Sequence, residues 1–375
     1  MRDILLLGGG KIGETIVDLL TATGDYAVTI ADQNGDALAR LPKRQNMTTL
    51  VLNAADPDAL RAAMKGRFAV LSALPYSLTI DVARAARDLG VHYLDLTEDV
   101  ASTRAVKQFA VEGTSTFIPQ CGLAPGFISV VAHDVASRYD SLDSVKMRVG
   151  ALPVYPHNAL KYNLTWSTDG LINEYLEPCE AVVDGEKVLV PPLEELEHLS
   201  LDGVEYEAFN TSGGLGTLCD TLSGKVRTLN YRSIRYPGHR DIMKVLLQDL
   251  RLGERRDLLK DIMERSIPAT PQDVIVIFVT VSGYRNGRLL QESYANKVYG
   301  RMVGDTFRSG IQITTAAGIC TMLDLLHEGK LPSRGFVKQE DVSLATFLGN
   351  RFGKVYAQNE GGSAAGVGAG SVKAA

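Results

Sequence analysis

The chain has 375 residues, more than one hydrophobic core usually serves, so two domains are expected. Hydrophobic residues at 45% and charged residues at 22% are an ordinary globular balance, and a net charge of -5 without a Lys/Arg cluster argues against nucleic acid as a partner. No apolar run nears the roughly 20 residues of a membrane span, and Met1-Arg2-Asp3 leads into a strand pattern with no signal-peptide core, so a cytoplasmic protein with no membrane partner is expected.

The predicted elements begin with an apolar strand over 4–7, then glycines, then Ile12, Ile16, Val17, Leu19 and Leu20 at helical spacing. A strand over 27–30 precedes a short helix holding Leu38 and Leu41, and 47–52 forms a third strand. Asp56-Pro57 reads as an N-cap and first-turn proline for a helix through Leu60 and Met64. Strands over 68–71, 93–96 and 116–118 then alternate with helices over 78–89 and around 105–109. Apolar strands at this spacing imply a parallel sheet with right-handed crossovers, a six-stranded doubly wound domain.

From about Ser144 the pattern alternates, over 145–149, 206–209 and 226–231, which predicts an antiparallel sheet. Strands over 274–282 and 289–299 flank Tyr284-Arg285-Asn286-Gly287, whose Asn-Gly pair is a strong hairpin signal. The fold class is thus α/β: an N-terminal Rossmann-type parallel sheet plus a second, α+β domain with a mostly antiparallel sheet. Domain limits of 1–122 and 123–308 are expected, with a late helix (311–327) in the segment 309–356 returning to the first domain. The Gly/Ala/Ser-rich tail, 359–375, has little to bury and is expected to be disordered.

Gly8-Gly9-Gly10-Lys11-Ile12-Gly13 follows the first strand and opens a helix, the dinucleotide-binding arrangement. Gly8 permits the tight turn, Gly10 lets backbone approach a pyrophosphate, and Gly13 lets helix pack on strand. Asp32 ends the second strand about 20 residues on, where a carboxylate accepts from an adenosine ribose diol. It would repel a 2′-phosphate, and Gln33-Asn34 supply no arginine to neutralise one, so NAD is the expected cofactor. Asp56 falls where an adenine edge would rest, or simply caps its helix. Ala73-Leu74-Pro75, after the fourth strand, suits the nicotinamide half of the dinucleotide.

Two further strand ends carry candidate chemistry: Asp95 with Glu98 and Asp99, and Gln120-Cys121-Gly122-Leu123-Ala124-Pro125-Gly126. The four cysteines (Cys121, Cys179, Cys219, Cys320) and six histidines are scattered, so reduced thiols and no metal are expected.

The glycine fingerprint, Ala73-Leu74-Pro75-Tyr76, Tyr93-Leu94-Asp95 and Gly122-Leu123-Ala124-Pro125-Gly126 resemble the saccharopine dehydrogenase family. Thr165-Trp166-Ser167 with Gly170-Leu171-Ile172, the Thr211-Ser212-Gly213-Gly214-Leu215-Gly216 segment, and Arg235-Tyr236-Pro237-Gly238-His239 resemble its lysine 6-dehydrogenase branch. The resemblance runs to about Tyr356. Saccharopine reductases usually carry an aspartate before the proline of the sixth-strand loop, where this chain has Ala124.

The resemblance implies an NAD-dependent oxidative deamination of the lysine side chain, acting on a free amino acid, in a homodimer. Such chemistry needs a clamp for the α-carboxylate, for which Arg235 is the first choice and Arg227 the reserve. It also needs a proton acceptor, and Asp95, Glu98 and His239 stay open for that role. Trp166 either packs the core or walls the pocket, Thr211 lies in a family motif as a substrate contact, and Cys121 is a candidate contact without a nucleophile's surroundings. Two alternatives stay open: a reductive condensation of saccharopine or carboxynorspermidine type, and a non-catalytic NAD-binding regulator.

Overall fold

A computed structural model describes residues 1–358; the tail from Asn359, expected to be disordered, lies outside the described residues. Six strands of the first domain run β1 (Arg2–Leu7), β2 (Tyr26–Asp32), β3 (Met47–Val51), β4 (Ala69–Ser72), β5 (His92–Asp95) and β6 (Thr116–Ile118). They pair in parallel in the order β6-β5-β4-β1-β2-β3, so the chain reverses direction across the sheet between β1 and β4. A crevice opens beyond the carboxyl ends of strands at such a reversal.

The sheet has seven strands rather than the six expected. Gly335–Phe336 pairs in parallel with β6, bringing a late segment back to the first sheet. Two residues carry no periodicity, so nothing local announces this strand.

The second domain holds β7 (Ser141–Pro153), β8 (Cys179–Val183), β9 (Glu186–Val190), β10 (Glu197–Leu201), β11 (Val204–Asn210), β12 (Val226–Arg235), β13 (Asp273–Arg285) and β14 (Arg288–Tyr299). Their sheet runs β10-β11-β12-β7-β13-β14, with β8 and β9 attached beside β12. It is mostly antiparallel, but its central pair β12–β7 is parallel, from Val226↔Leu142 to Ser233↔Val149. Period-2 patterning reports which face is buried and says nothing of strand direction. At the β13–β14 turn both Asn286 and Gly287 have positive φ, 52° and 72°, the conformation a two-residue hairpin of this twist requires.

One hydrophobic core runs through both sheets. Ile4, Leu6 and Ile30 of the first sheet join Phe127 and Val131 of the helix Phe127–Ala136, and Val279 and Val281 of β13. The helix Gly310–His327 is buried along nearly its whole length within this core. Asp273, at the start of β13, accepts from the backbone of Gly310 and Ile311, capping the helix from the second sheet. The core therefore fixes where β7 and β12 stand relative to the carboxyl ends of β1 and β4.

Candidate active site

The glycine turn has the shape its sequence asks for. Gly8 has φ +105°, and a Cβ there would lie 2.7 Å from the Ala73 carbonyl oxygen. A Cβ on Gly13 would lie 2.0 Å from the Gly8 oxygen, so the helix Lys11–Thr21 packs against the turn at backbone contact. Gly10 differs: a Cβ there would meet nothing within 4 Å, so the space beside the helix N-terminus is open. Gly10 is also that helix's N-cap without a side-chain cap, which leaves first-turn N–H groups aimed at that space, and Lys11 is exposed beside it. Asp32 is held to the turn by Gly9 N, which donates to it at 2.7 Å, and to its own strand end by Asn34 N at 2.8 Å. Open space, free donors and a carboxylate at the next strand end fit a dinucleotide's phosphates and ribose. Asp56 does the plainer of its two expected tasks, capping the helix Pro57–Met64 through Asp58 N and Ala59 N.

Beyond this turn lies a cavity of about 540 Å3, lined by Ile12, Ala73, Leu74, Pro75 and, across the cleft, Trp166. It leads into an inner chamber of about 90 Å3 between the domains, and Leu96, Glu98, Trp166 and Thr315 line both. The chamber's floor is β12: Tyr231, Ser233 and Arg235 alternate along the strand and so share its inward face. Its lip is the sixth-strand loop from Gly122 to Pro125.

Two carboxylates and one guanidinium line the inner chamber, while the outer cavity adds Asp169, Asp257 and Arg256, the last paired with Glu177. Glu98 stands at the junction of the two cavities, and burial pushes its carboxyl above the usual range, with Asp99 and Asp95 adding repulsion. Glu174 lines the inner chamber only; burial raises its carboxyl to about 8, Arg235 opposing and Glu98 adding to the rise. Arg235 is 3% exposed. Its Nε donates to Tyr175 Oη at 2.8 Å and its Nη1 to the Ile234 carbonyl at 2.8 Å, while Nη2 has no hydrogen-bond partner among the described residues. No carboxylate pairs with it there either, so a buried cation faces the chamber without a counter-ion, an arrangement that is costly unless an anion arrives.

Glu174 was not singled out from the sequence. It sits on the helix Thr168–Leu176, capped by Ser167, and falls three residues after Leu171 on a buried stripe. An acid at an apolar-stripe position was the available signal. Trp166 packs close against the same helix because position 170 is glycine, where a Cβ would come within 2.4 Å of the indole ring. It both packs the core and walls the two cavities.

Five expected site residues lie elsewhere. Asp95 is buried and accepts from Tyr93 Oη, Thr97 N and Gln120 N, at 2.7, 3.0 and 2.8 Å, tying β5 to the sixth-strand loop; burial raises it to about 6. Its oxygens are spent on that tie and it does not line the chamber. His239 is fully buried behind Arg235, bonded to Tyr175 Oη and the Leu160 carbonyl, and burial together with Arg235 lowers it to about 3, too low for a proton acceptor at neutral pH. Cys121 points back toward the Ile118 carbonyl, and burial pushes its thiol well up. Thr211 lies beneath the floor, bonded to Ser233 Oγ at 2.8 Å. Arg227, on β12 but half-exposed, is a surface ion pair with Asp143 at 2.7 Å and offers no clamp.

Comparison with known proteins bears on this geometry. Residues 4–117 match the model for the saccharopine dehydrogenase NADP binding domain, and residues 122–350 match the model for the saccharopine dehydrogenase C-terminal domain. Among curated proteins, the mitochondrial alpha-aminoadipic semialdehyde synthase of Rattus norvegicus is 23% identical over 219 residues, 54% of this chain and 24% of that protein. The NADP(+), L-glutamate-forming saccharopine dehydrogenase of Saccharomyces cerevisiae is 25% identical over 177 residues, 46% of this chain and 40% of the other. The matches thus span less than half the length of either relative. Among solved structures, the apo saccharopine dehydrogenase (L-Glu forming) of Saccharomyces cerevisiae has the same fold, with a TM-score of 0.75 over 95% of this chain and 96% of the other at 17% identity. The homospermidine synthase of Legionella pneumophila, solved in complex with NAD, gives 0.67 over 96% and 90% at 13% identity.

Proposed function

The chain belongs to the saccharopine dehydrogenase family, and from that premise we propose that it is an NAD-dependent dehydrogenase of the lysine side chain. The reaction converts lysine, NAD and water to the 6-semialdehyde, ammonium, NADH and a proton, and the semialdehyde then cyclises.

The observation that carries this reading is the chamber's charge: one guanidinium without a counter-ion and two carboxylates. Lysine presents the complement, one carboxylate and two amines. Saccharopine carries three carboxylates and would ask for more cations than Arg235, the one guanidinium of the inner chamber, since Arg256 in the outer cavity is already paired with Glu177. The small inner chamber also favours an amino-acid head over a second dicarboxylate arm.

In this reading Arg235 holds the α-carboxylate and Glu174, in the same inner chamber, the α-ammonium. Glu98, at the junction with the outer cavity, takes the proton from the reacting side-chain ammonium, because only a neutral amine can lose a hydride from its carbon. Trp166 lies against the methylenes and, with the Gly122–Pro125 loop, keeps water from the reacting carbon until the imine forms. A bound dinucleotide supplies hydride acceptance. Preference for NAD is supported by the Asp32 carboxylate at the end of β2, which would repel a 2′-phosphate bound beside it, and by the neighbours Gln33-Asn34, which carry no positive charge.

A second reading, condensation or exchange on a polyamine, is favoured by the two carboxylates and by the fold likeness to homospermidine synthase, which is a likeness of fold alone. Adding lysine and NAD to the pure protein separates the two. Growth of NADH absorbance without a second carbonyl or amine substrate supports deamination. No growth with lysine, but turnover of a diamine, overturns it.

A further inference from the structure

Behind Arg235 lies a chain of polar groups that touches no substrate in the reading above. The Leu160 carbonyl lies 2.8 Å from His239 Nδ1, His239 Nε2 lies 3.0 Å from Tyr175 Oη, and Tyr175 Oη lies 2.8 Å from Arg235 Nε. The direction of every bond follows from the first. A carbonyl only accepts, so Nδ1 carries the hydrogen; a neutral imidazole then has a bare Nε2, which only accepts. Tyr175 therefore donates its hydrogen to Nε2 and accepts through its oxygen from Arg235 Nε. All the side chains of the chain are buried, His239 at 1% and Tyr175 at 1% exposed, so no water supplies an alternative partner cheaply.

From this geometry we infer that Tyr175 and His239 are positioning residues that lock the Arg235 guanidinium, so that its Nη2 edge faces the inner chamber ready for a carboxylate. The inference deepens the amino-acid reading and rests on it for what the clamp does; the one-way chain itself does not depend on it. Three further contacts hold the same group: Nη1 donates to Ile234, and the rings of Tyr162 and Tyr175 flank the guanidinium carbon at 5.2 and 5.7 Å. An arginine side chain loses considerable rotamer freedom when it grips a ligand. Here that loss is already met in the folded protein, so substrate binding is spared it.

The consequence is specificity for the carboxylate-bearing end. Tyr175→Phe keeps the ring and removes the hydroxyl, leaving Nε without an acceptor and His239 Nε2 without a donor. With the guanidinium unlocked, the enzyme's preference for lysine over cadaverine, which is lysine without its carboxylate, is expected to fall about 10–100-fold, chiefly through KM. His239→Gln can still accept at one end and donate at the other, so it is expected to retain more of the preference than His239→Phe, which fills the space with no polar atom. A role in folding alone would depress both substrates together and make Gln and Phe equivalent.

Side-chain nitrogen NMR of the apo protein reads the chain without any turnover. Arg235 Nε–H, assigned by its loss in Arg235→Lys, is expected to exchange slowly with water in the wild type and quickly in Tyr175→Phe, and His239 is expected as the Nδ1–H tautomer. Equal exchange in both proteins, or the Nε2–H tautomer, overturns the inference. If the NMR result holds and the wild type oxidises neither amine, the lysine reading fails and the positioning chain stands. If lysine is oxidised and Tyr175→Phe keeps its preference, the inference fails and the lysine reading stands.

Discussion

At position 235 the guanidinium geometry is what matters, so Arg235→Lys tests it without removing the charge. A lysine has a single nitrogen and cannot donate to Ile234 and Tyr175 while also presenting a donor to the chamber. Lysine turnover is expected to lose about 100-fold in kcat/KM with NAD affinity unchanged, measured by steady-state kinetics and NAD titration. Glu98 and Glu174 divide by their places in the cleft. Glu98→Gln is expected to lower kcat by about 100-fold or more, since the reacting amine has no proton acceptor. Glu174, raised to about 8 by burial, is neutral below that pH and ionised above it, so KM for lysine is expected to fall as pH rises toward about 8. Glu174→Gln removes that dependence; a pH profile of KM unchanged by the substitution contradicts the assignment. The shape of the glycine turn was legible in the sequence because a local pattern dictates it, and Arg235 was singled out because it falls inside a motif of the family. Glu174 was not, because a carboxylate on a buried helical stripe becomes meaningful only when β12 brings Arg235 opposite it. His239 misled for the same reason: adjacency in sequence to Arg235 says nothing of which side of the guanidinium the imidazole occupies.

Among the elements, the first turn makes the sharpest distinction between folding and binding. Gly13→Ala drives a methyl into the Gly8 carbonyl and is expected to destabilise the first domain by about 1–3 kcal/mol, seen as a fall in Tm. Gly10→Ala meets no protein atom and has ordinary backbone angles, φ -75° and ψ -175°. It is expected to leave stability within about 0.5 kcal/mol while weakening NAD binding at least about 10-fold, because its methyl enters the space open to phosphate. Equal NAD affinity in Gly10→Ala and wild type, by calorimetric titration, sinks the assignment of that space. Six of the seven strands of the first sheet were legible because short, largely apolar runs alternate with helices, and the β13–β14 hairpin because Asn286-Gly287 suits a tight turn. The parallel pairing of β12 with β7 and the two-residue strand at Gly335 were not, since both are made by chain segments distant in sequence.

For the whole molecule, the shared core means that the cleft is fixed by packing, and its buried acids act on stability as well as on binding. Glu174 binds its proton more tightly folded than unfolded, so its contribution to stability is complete below the ordinary carboxylate range and is lost as pH rises toward about 8. The gain in Tm from Glu174→Gln is therefore expected to grow from about pH 5 to about pH 8 and then level off, by at most about 1.4 kcal/mol per pKa unit of difference between folded and unfolded states. A gain independent of pH contradicts a buried, uncharged Glu174. Whether a lone guanidinium facing two carboxylates selects a substrate with one carboxylate and two amines is read from NADH formation with lysine, cadaverine and saccharopine as sole amine substrates. NADH is expected to form fastest with lysine, more slowly with cadaverine, and not at all with saccharopine. Efficient oxidation of saccharopine, or indifference to the lysine carboxylate, would contradict such selection.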